Sequence, residues 1–72
     1  MTDYHIVMAN DGKKDYAIAD ANSLWSDALD AVAEVIERGH SVLFVHHIRR
    51  GMVEDRTETA IRSVIAFAGA IA

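Results

Sequence analysis

The 72-residue sequence contains no cysteine and no proline, and only four glycines. Without cysteine there are no disulfides, no thiolate zinc site and no thiol nucleophile. Without proline there is no proline kink and no polyproline ligand. No apolar run approaches the ~20 residues that span a bilayer. The longest, residues 64–71, is short and has Gly69 inside it. Residues 1–4 have neither the basic start nor the apolar stretch of a secretory leader. A cytoplasmic protein with no membrane contact is the expectation. Basic residues are also scarce: seven Lys and Arg face eleven Asp and Glu, for a formal charge of −4. That balance argues against direct binding of nucleic acid through the whole surface. With one Trp, two Tyr and two Phe, no basic and aromatic cluster for stacking RNA bases is present.

Catalytic signatures are missing too. There is no Gly-x-Ser-x-Gly, no phosphate-binding glycine loop and no dinucleotide fingerprint. No enzyme activity, no cofactor and no metal are therefore expected.

What is present is a chain that must fold. Half of it (51%) is hydrophobic and a quarter charged, which excludes a disordered or low-complexity polymer. The length suits one small domain over residues 1–72. A chain of this size buries only about 60% of its unfolded surface. Small domains make up that deficit with disulfides, metals or oligomers, and disulfides are unavailable here.

Periodicity supplies the architecture. Residues 4–9 are rich in β-branched and aromatic types and read as a strand. Asn10, Asp11 and Gly12 tolerate positive φ and mark a turn. Residues 15–20 alternate, with Tyr16 and Ile18 on one face, so a hairpin with Lys13 and Lys14 at its tip is predicted. Asn22 or Ser23 offers an N-cap. From Leu24 the period becomes helical: Leu24, Ala28, Ala31 and Val35 make one apolar row, and Trp25, Leu29, Val32 and Ile36 the next. Gly39 stops the helix. Residues 41–48 form another strand, apolar on both faces over residues 42–45, which predicts cover on both sides. Arg49, Arg50 and Gly51 turn the chain, and residues 52–54 can add a short fourth strand. Asp55 with Glu58 resembles a capping box, with Thr57 as the alternative cap of a last helix running to the C-terminus. The fold class is α+β: a two-layer domain with an antiparallel sheet of three or four strands in order 2-1-3, residues 4–9 at its centre.

Charge is unevenly placed. Residues 1–38 hold eight of the acids against Lys13, Lys14 and Arg38, whereas residues 39–72 hold Glu54, Asp55 and Glu58 against four arginines. Asp27, Asp30, Glu34 and Glu37 share one face of the first helix, spaced three, four and three. Like charges at that spacing repel by a few tenths of a kcal/mol per pair. Such a ladder resembles a phosphate strand electrostatically and steers the domain toward a basic surface. The C-terminal helix is the second anomaly. Its last nine residues carry no charged or polar side chain, although a helix on a domain this small has only one core to face. Val64, Phe67, Ala68 and Ile71 are the candidate surface for a homodimer or for an anchor on a target.

The histidines give a weaker pattern. His46 and His47 are adjacent in a strand and point to opposite faces. His5 can sit across from either, and such a pair with Asp3 or Asp15 would make a metal site of a small enzyme; histidines satisfied within the fold are the simpler account. In size and charge the chain is similar to small inhibitor and adaptor proteins, including phage anti-defence proteins of the anti-CRISPR kind, a likeness that assigns no residue. The function expected is a non-catalytic inhibitor or adaptor, docking Asp27, Asp30, Glu34 and Glu37 on a basic, nucleic-acid-binding surface of a protein target. A self-associating subunit of a larger assembly is the alternative.

Overall fold

A computed structural model describes residues 3–20 and 24–71. The elements are β1 (Tyr4–Asn10), β2 (Asp15–Asp20), α1 (Trp25–Glu37), β3 (Ser41–Arg49), β4 (Met52–Asp55) and α2 (Thr57–Ile71). The strands form one antiparallel sheet in the order β2-β1-β3-β4, with β1 inside as its two apolar alternations require. Both helices lie on one face, so the domain is a two-layer α+β fold.

Local chemistry explains each turn. In the first hairpin Asn10 Oδ1 accepts the Gly12 N–H at 2.7 Å, and Asp11 Oδ1 accepts the N–H groups of Lys13 and Lys14, both at 2.8 Å. Gly12 takes φ +102°, the left-handed side that costs glycine least. Helix α1 ends in a Schellman motif. Gly39 N–H donates to Ile36 O at 2.9 Å and His40 N–H to Val35 O at 3.1 Å, which satisfies carbonyls that the helix leaves open. Its N-cap is Leu24, with no side-chain cap bond, rather than Asn22 or Ser23, which lie outside the described residues. Asp27 in the first turn complements the helix dipole instead.

The entry to α2 departs from a reciprocal capping box. Asp55 Oδ1 accepts the Thr57 N–H at 3.0 Å and the Thr57 hydroxyl, while Glu58 turns away to pair with Arg62. Thr57 Oγ1 in turn accepts the Val45 N–H at 2.9 Å, and Arg56 N–H donates to Val45 O at 2.8 Å. The start of α2 is thus stitched to β3.

The core between the layers is built from small side chains. Val7, Ala9 and Val45 come from the sheet, Ala28, Ala31, Val32 and Val35 from α1, and Ala60 from α2. Tyr16 and Ile18 pack at its margin, on the face predicted for them. The expectation that β3 is covered on both sides does not hold. Two helices can cover only one face, and they take the one carrying Val7 and Val45. The register pairs Tyr4 with Ile48, Ile6 with His46 and Met8 with Phe44 on the other face, which both helices leave bare.

Three surface carboxylates titrate below their ordinary range. Backbone N–H groups of Lys14 and Lys13 hold Asp11 down, the Thr57 hydroxyl and N–H hold Asp55 down, and the hydrogen bond and charge of Arg56 do so for Glu54. A folded-state pKa below the unfolded one means that the unfolded chain takes up protons first as pH falls. The stabilisation is therefore fully present above the usual carboxylate range near pH ~4 and is lost as pH drops through the lower folded values. The melting temperature of Asp55→Asn should lie below wild type at pH 7 and approach it at about pH 2–3. A gap that stays constant across this range would show that the Asp55 charge contributes nothing.

Candidate protein-interaction surface

Helix α1 turns Ala28, Ala31, Val32 and Val35 inward. The opposite side therefore carries the acids: Asp30, Glu34 and Glu37 are exposed and Asp27 is half-buried. Arg38 pairs with Glu34 one turn away, an exposed contact worth little. The acidic ladder thus projects outward as the spacing predicts, with Asp27 set deepest.

Helix α2 presents Ala60 to the core, with Ile61 and Val64 packed beside it. Further apolar side chains stand in water: Ile65, on the far side, is 60% exposed, and Phe67, in the same row as Ala60 and Val64, is 69% exposed. The side chains of Ala68 and Ile71 lie outside the described residues. Of the expected dimer or anchor set, Val64 therefore belongs largely to the fold and Phe67 to the surface.

Tertiary packing joins these two features. A groove of about 320 Å³ runs between the helices, lined by Ser26, Leu29, Asp30 and Ala33 of α1 and by Ser63, Val64 and Phe67 of α2. Its floor is aliphatic, Phe67 forms one wall, and Asp30 supplies charge at the opposite rim. Glu37 follows Asp30 about two turns along the same side. The arrangement suits an apolar side chain flanked by Lys or Arg.

The histidines sit in ring stacks and one hydrogen bond, while both ring nitrogens of His47 are buried without a hydrogen-bond partner. The register sets His5 opposite His47, not His46. The His5 and His47 rings stack at 4.4 Å between centroids, 11° from parallel, with Trp25 at 5.7 Å from His5. An imidazole binds metal in its ring plane, so two parallel stacked rings cannot converge on one ion. Asp3 Oδ2 and Glu54 Oε2 each lie 4.0 Å from a His47 nitrogen. Asp15 begins β2, beside the far end of β1, where it accepts a hydrogen bond from Asn10. Among the described residues no group of three or more His, Asp or Glu side chains is placed to hold a metal. His46 stacks on Phe44 on the bare sheet face at 4.0 Å. His40 Nδ1 and the Tyr16 hydroxyl are hydrogen-bonded at 2.7 Å, tying β2 to the end of α1.

A second hollow, of about 860 Å³, borders β4 and is lined in part by Asp3, His47, Arg49, Arg50, Met52 and Glu54. It mixes both charge signs, and Glu54 is engaged by Arg56 at 3.0 Å. The turn above it takes φ +52° at Arg50 and +75° at Gly51, the two-residue type I′ geometry of a tight hairpin.

The bare sheet face escaped the sequence reading. Ile6, Met8, Phe44 and Ile48 line it, with Val53 of β4 at 62% exposure. The signal was available, since positions 4, 6 and 8 are as apolar as 5, 7 and 9, more than one helical layer can hide.

Comparison with family models, curated proteins and solved structures finds no match to this chain, so no residue takes a role from a relative. Among the described residues no helix is long and apolar enough to cross a membrane.

Proposed function

We propose that the chain is a non-catalytic protein-binding module, an inhibitor or adaptor acting in the cytoplasm, whose α1–α2 groove docks on a basic surface of a target protein. One observation supports this above the rest. The core is made of valine and alanine, while Phe67 and the Asp30 carboxylate meet at one groove and Ile65, Glu34 and Glu37 also face water on the same two helices. Burying an exposed Phe or Ile side chain contributes roughly 1.5–3 kcal/mol, so such a surface gains by being covered. The apolar wall provides affinity, and the acidic rim provides orientation and speed of encounter. The C-terminal helix here anchors the target. A nucleic-acid-binding groove is the kind of basic surface such a carboxylate ladder fits, and occupying it would block its ordinary ligand.

The test starts by capturing a target from extracts of the source cells at low salt and purifying it. Affinity for the wild-type chain should fall steeply with added salt. Asp30→Lys with Glu34→Lys should weaken it at least about tenfold and flatten the salt dependence. Equal affinity and equal salt sensitivity for both chains would rule out docking through the acidic face.

A further inference from the structure

We infer that the bare face of the sheet is the contact between two copies of this chain, packed sheet to sheet with both helical layers outward. This goes beyond the groove and does not depend on it. The face is made by Tyr4, Ile6 and Met8 of β1, Phe44, His46 and Ile48 of β3 and Val53 of β4. Its charged members among the described residues are Asp15 and Asp55, at the two edges, each already hydrogen-bonded within its own chain. Apart from His46, which stacks on Phe44, the centre is apolar and offers a charged partner little to pair with. It is self-complementary under a twofold axis, because no like charges meet when the face is laid on its copy.

Net charge selects this mode over a helix-to-helix dimer. The chain carries −4, and α1 concentrates Asp30, Glu34 and Glu37 on the outer surface of the helical layer. Pairing through the helices would bring two acidic rows together within the ~8 Å screening length. Pairing through the sheets places the α1 helices on opposite outer surfaces, roughly 30 Å apart across three layer spacings of about 10 Å. Area agrees. Four strands at ~4.8 Å and a central strand of seven residues at ~3.4 Å per residue give a face of about 19 by 24 Å. With side-chain relief, each copy loses roughly 600 Å² or more, and the pair reaches the ~1,200 Å² at which stable interfaces begin. The contact must therefore use the whole face, as in aligned sheet packing.

Sedimentation equilibrium of the full chain between about 1 and 100 μM should give twice the 7.9 kDa chain mass. Phe44→Lys should sediment as a monomer with its circular dichroism retained. Val53→Lys, at a position far from the core, should raise the dissociation constant at least about tenfold even if Phe44→Lys fails to fold. Spin labels on Asp30→Cys, readable because no other cysteine exists, should lie about 30 Å or more apart. Phe67→Lys should leave the dimer intact while weakening target binding, which separates this contact from the groove. A monomer throughout the range, a dimer indifferent to both sheet substitutions, or labels closer than about 20 Å would overturn the sheet-to-sheet contact.

Discussion

Leucine in place of Ala28 is expected to lower the melting temperature by roughly 10–20 °C. Ala28 has no exposed surface, and it faces a sheet whose own contact residues include Ala9. Ala60 does the same for α2. Alanine at these points sets how closely the helices approach the sheet. Three further carbons at a fully buried position press on their neighbours, so α1 must lift or those neighbours must leave their rotamers. Overpacking of this kind costs about 1–3 kcal/mol, and the upper end applies where backbone lies beneath the side chain. A 72-residue domain has about 4–11 kcal/mol in total, so the loss removes a large fraction. Ala33→Leu supplies the control. It lies on the same helix but beside the α1–α2 groove, where added carbons meet open space and stability should change by no more than about 0.5 kcal/mol. Equal tolerance at the two positions would mean that α1 does not sit closely on the sheet.

Removal of the indole at Trp25 should cost about 2–3 kcal/mol in equilibrium unfolding. Trp25 begins α1 and is packed against the core cluster. Its ring approaches the buried His5 on one side, and the Arg56 guanidinium lies 5.6 Å from its centroid. It therefore holds three elements together: the first turn of α1, the central strand and the entry to α2. A fully buried Trp cut to Ala costs about 3–5 kcal/mol. Partial burial lowers that figure, and the cation–π contact with Arg56 restores about 0.5–1 kcal/mol. Trp25→Phe should recover most of the loss, because packing on His5 survives. Since Trp25 is the single tryptophan, the variants must be followed by circular dichroism. A Trp25→Ala chain as stable as wild type would show that the α1 and α2 entries are held independently.

The order of elements was readable because each rests on local chemistry. Asn10, Asp11 and Gly12 close the first hairpin with their own side chains and a positive φ. Gly39 ends α1 through its own bond to Ile36 O, three residues back, and the His40 bond to Val35 O, five residues back. Sheet order followed from one topological rule: a helix between β2 and β3 returns the chain in the same direction, leaving β1 as the antiparallel strand between them. The acidic ladder was readable for a similar reason, since helical spacing alone puts Asp30, Glu34 and Glu37 on one side.

What stayed hidden depends on distance across the fold. Thr57 acts as a joint because its hydroxyl meets Val45 N–H on another strand, and no spacing within residues 55–58 announces that bond. His5 chooses His47 because hairpin geometry sets the register. The groove exists because α1 and α2 happen to lie side by side, which brings Asp30 and Phe67 to one cleft from 37 positions apart. Periodicity states that a strand is apolar on both faces; it cannot say how many layers the chain can spare to cover them. Local composition and spacing thus specify the elements and their inward sides, whereas the joining of acid to apolar surface and the bareness of one sheet face arise from packing, because only packing allots a limited number of helices to the surfaces that need hiding.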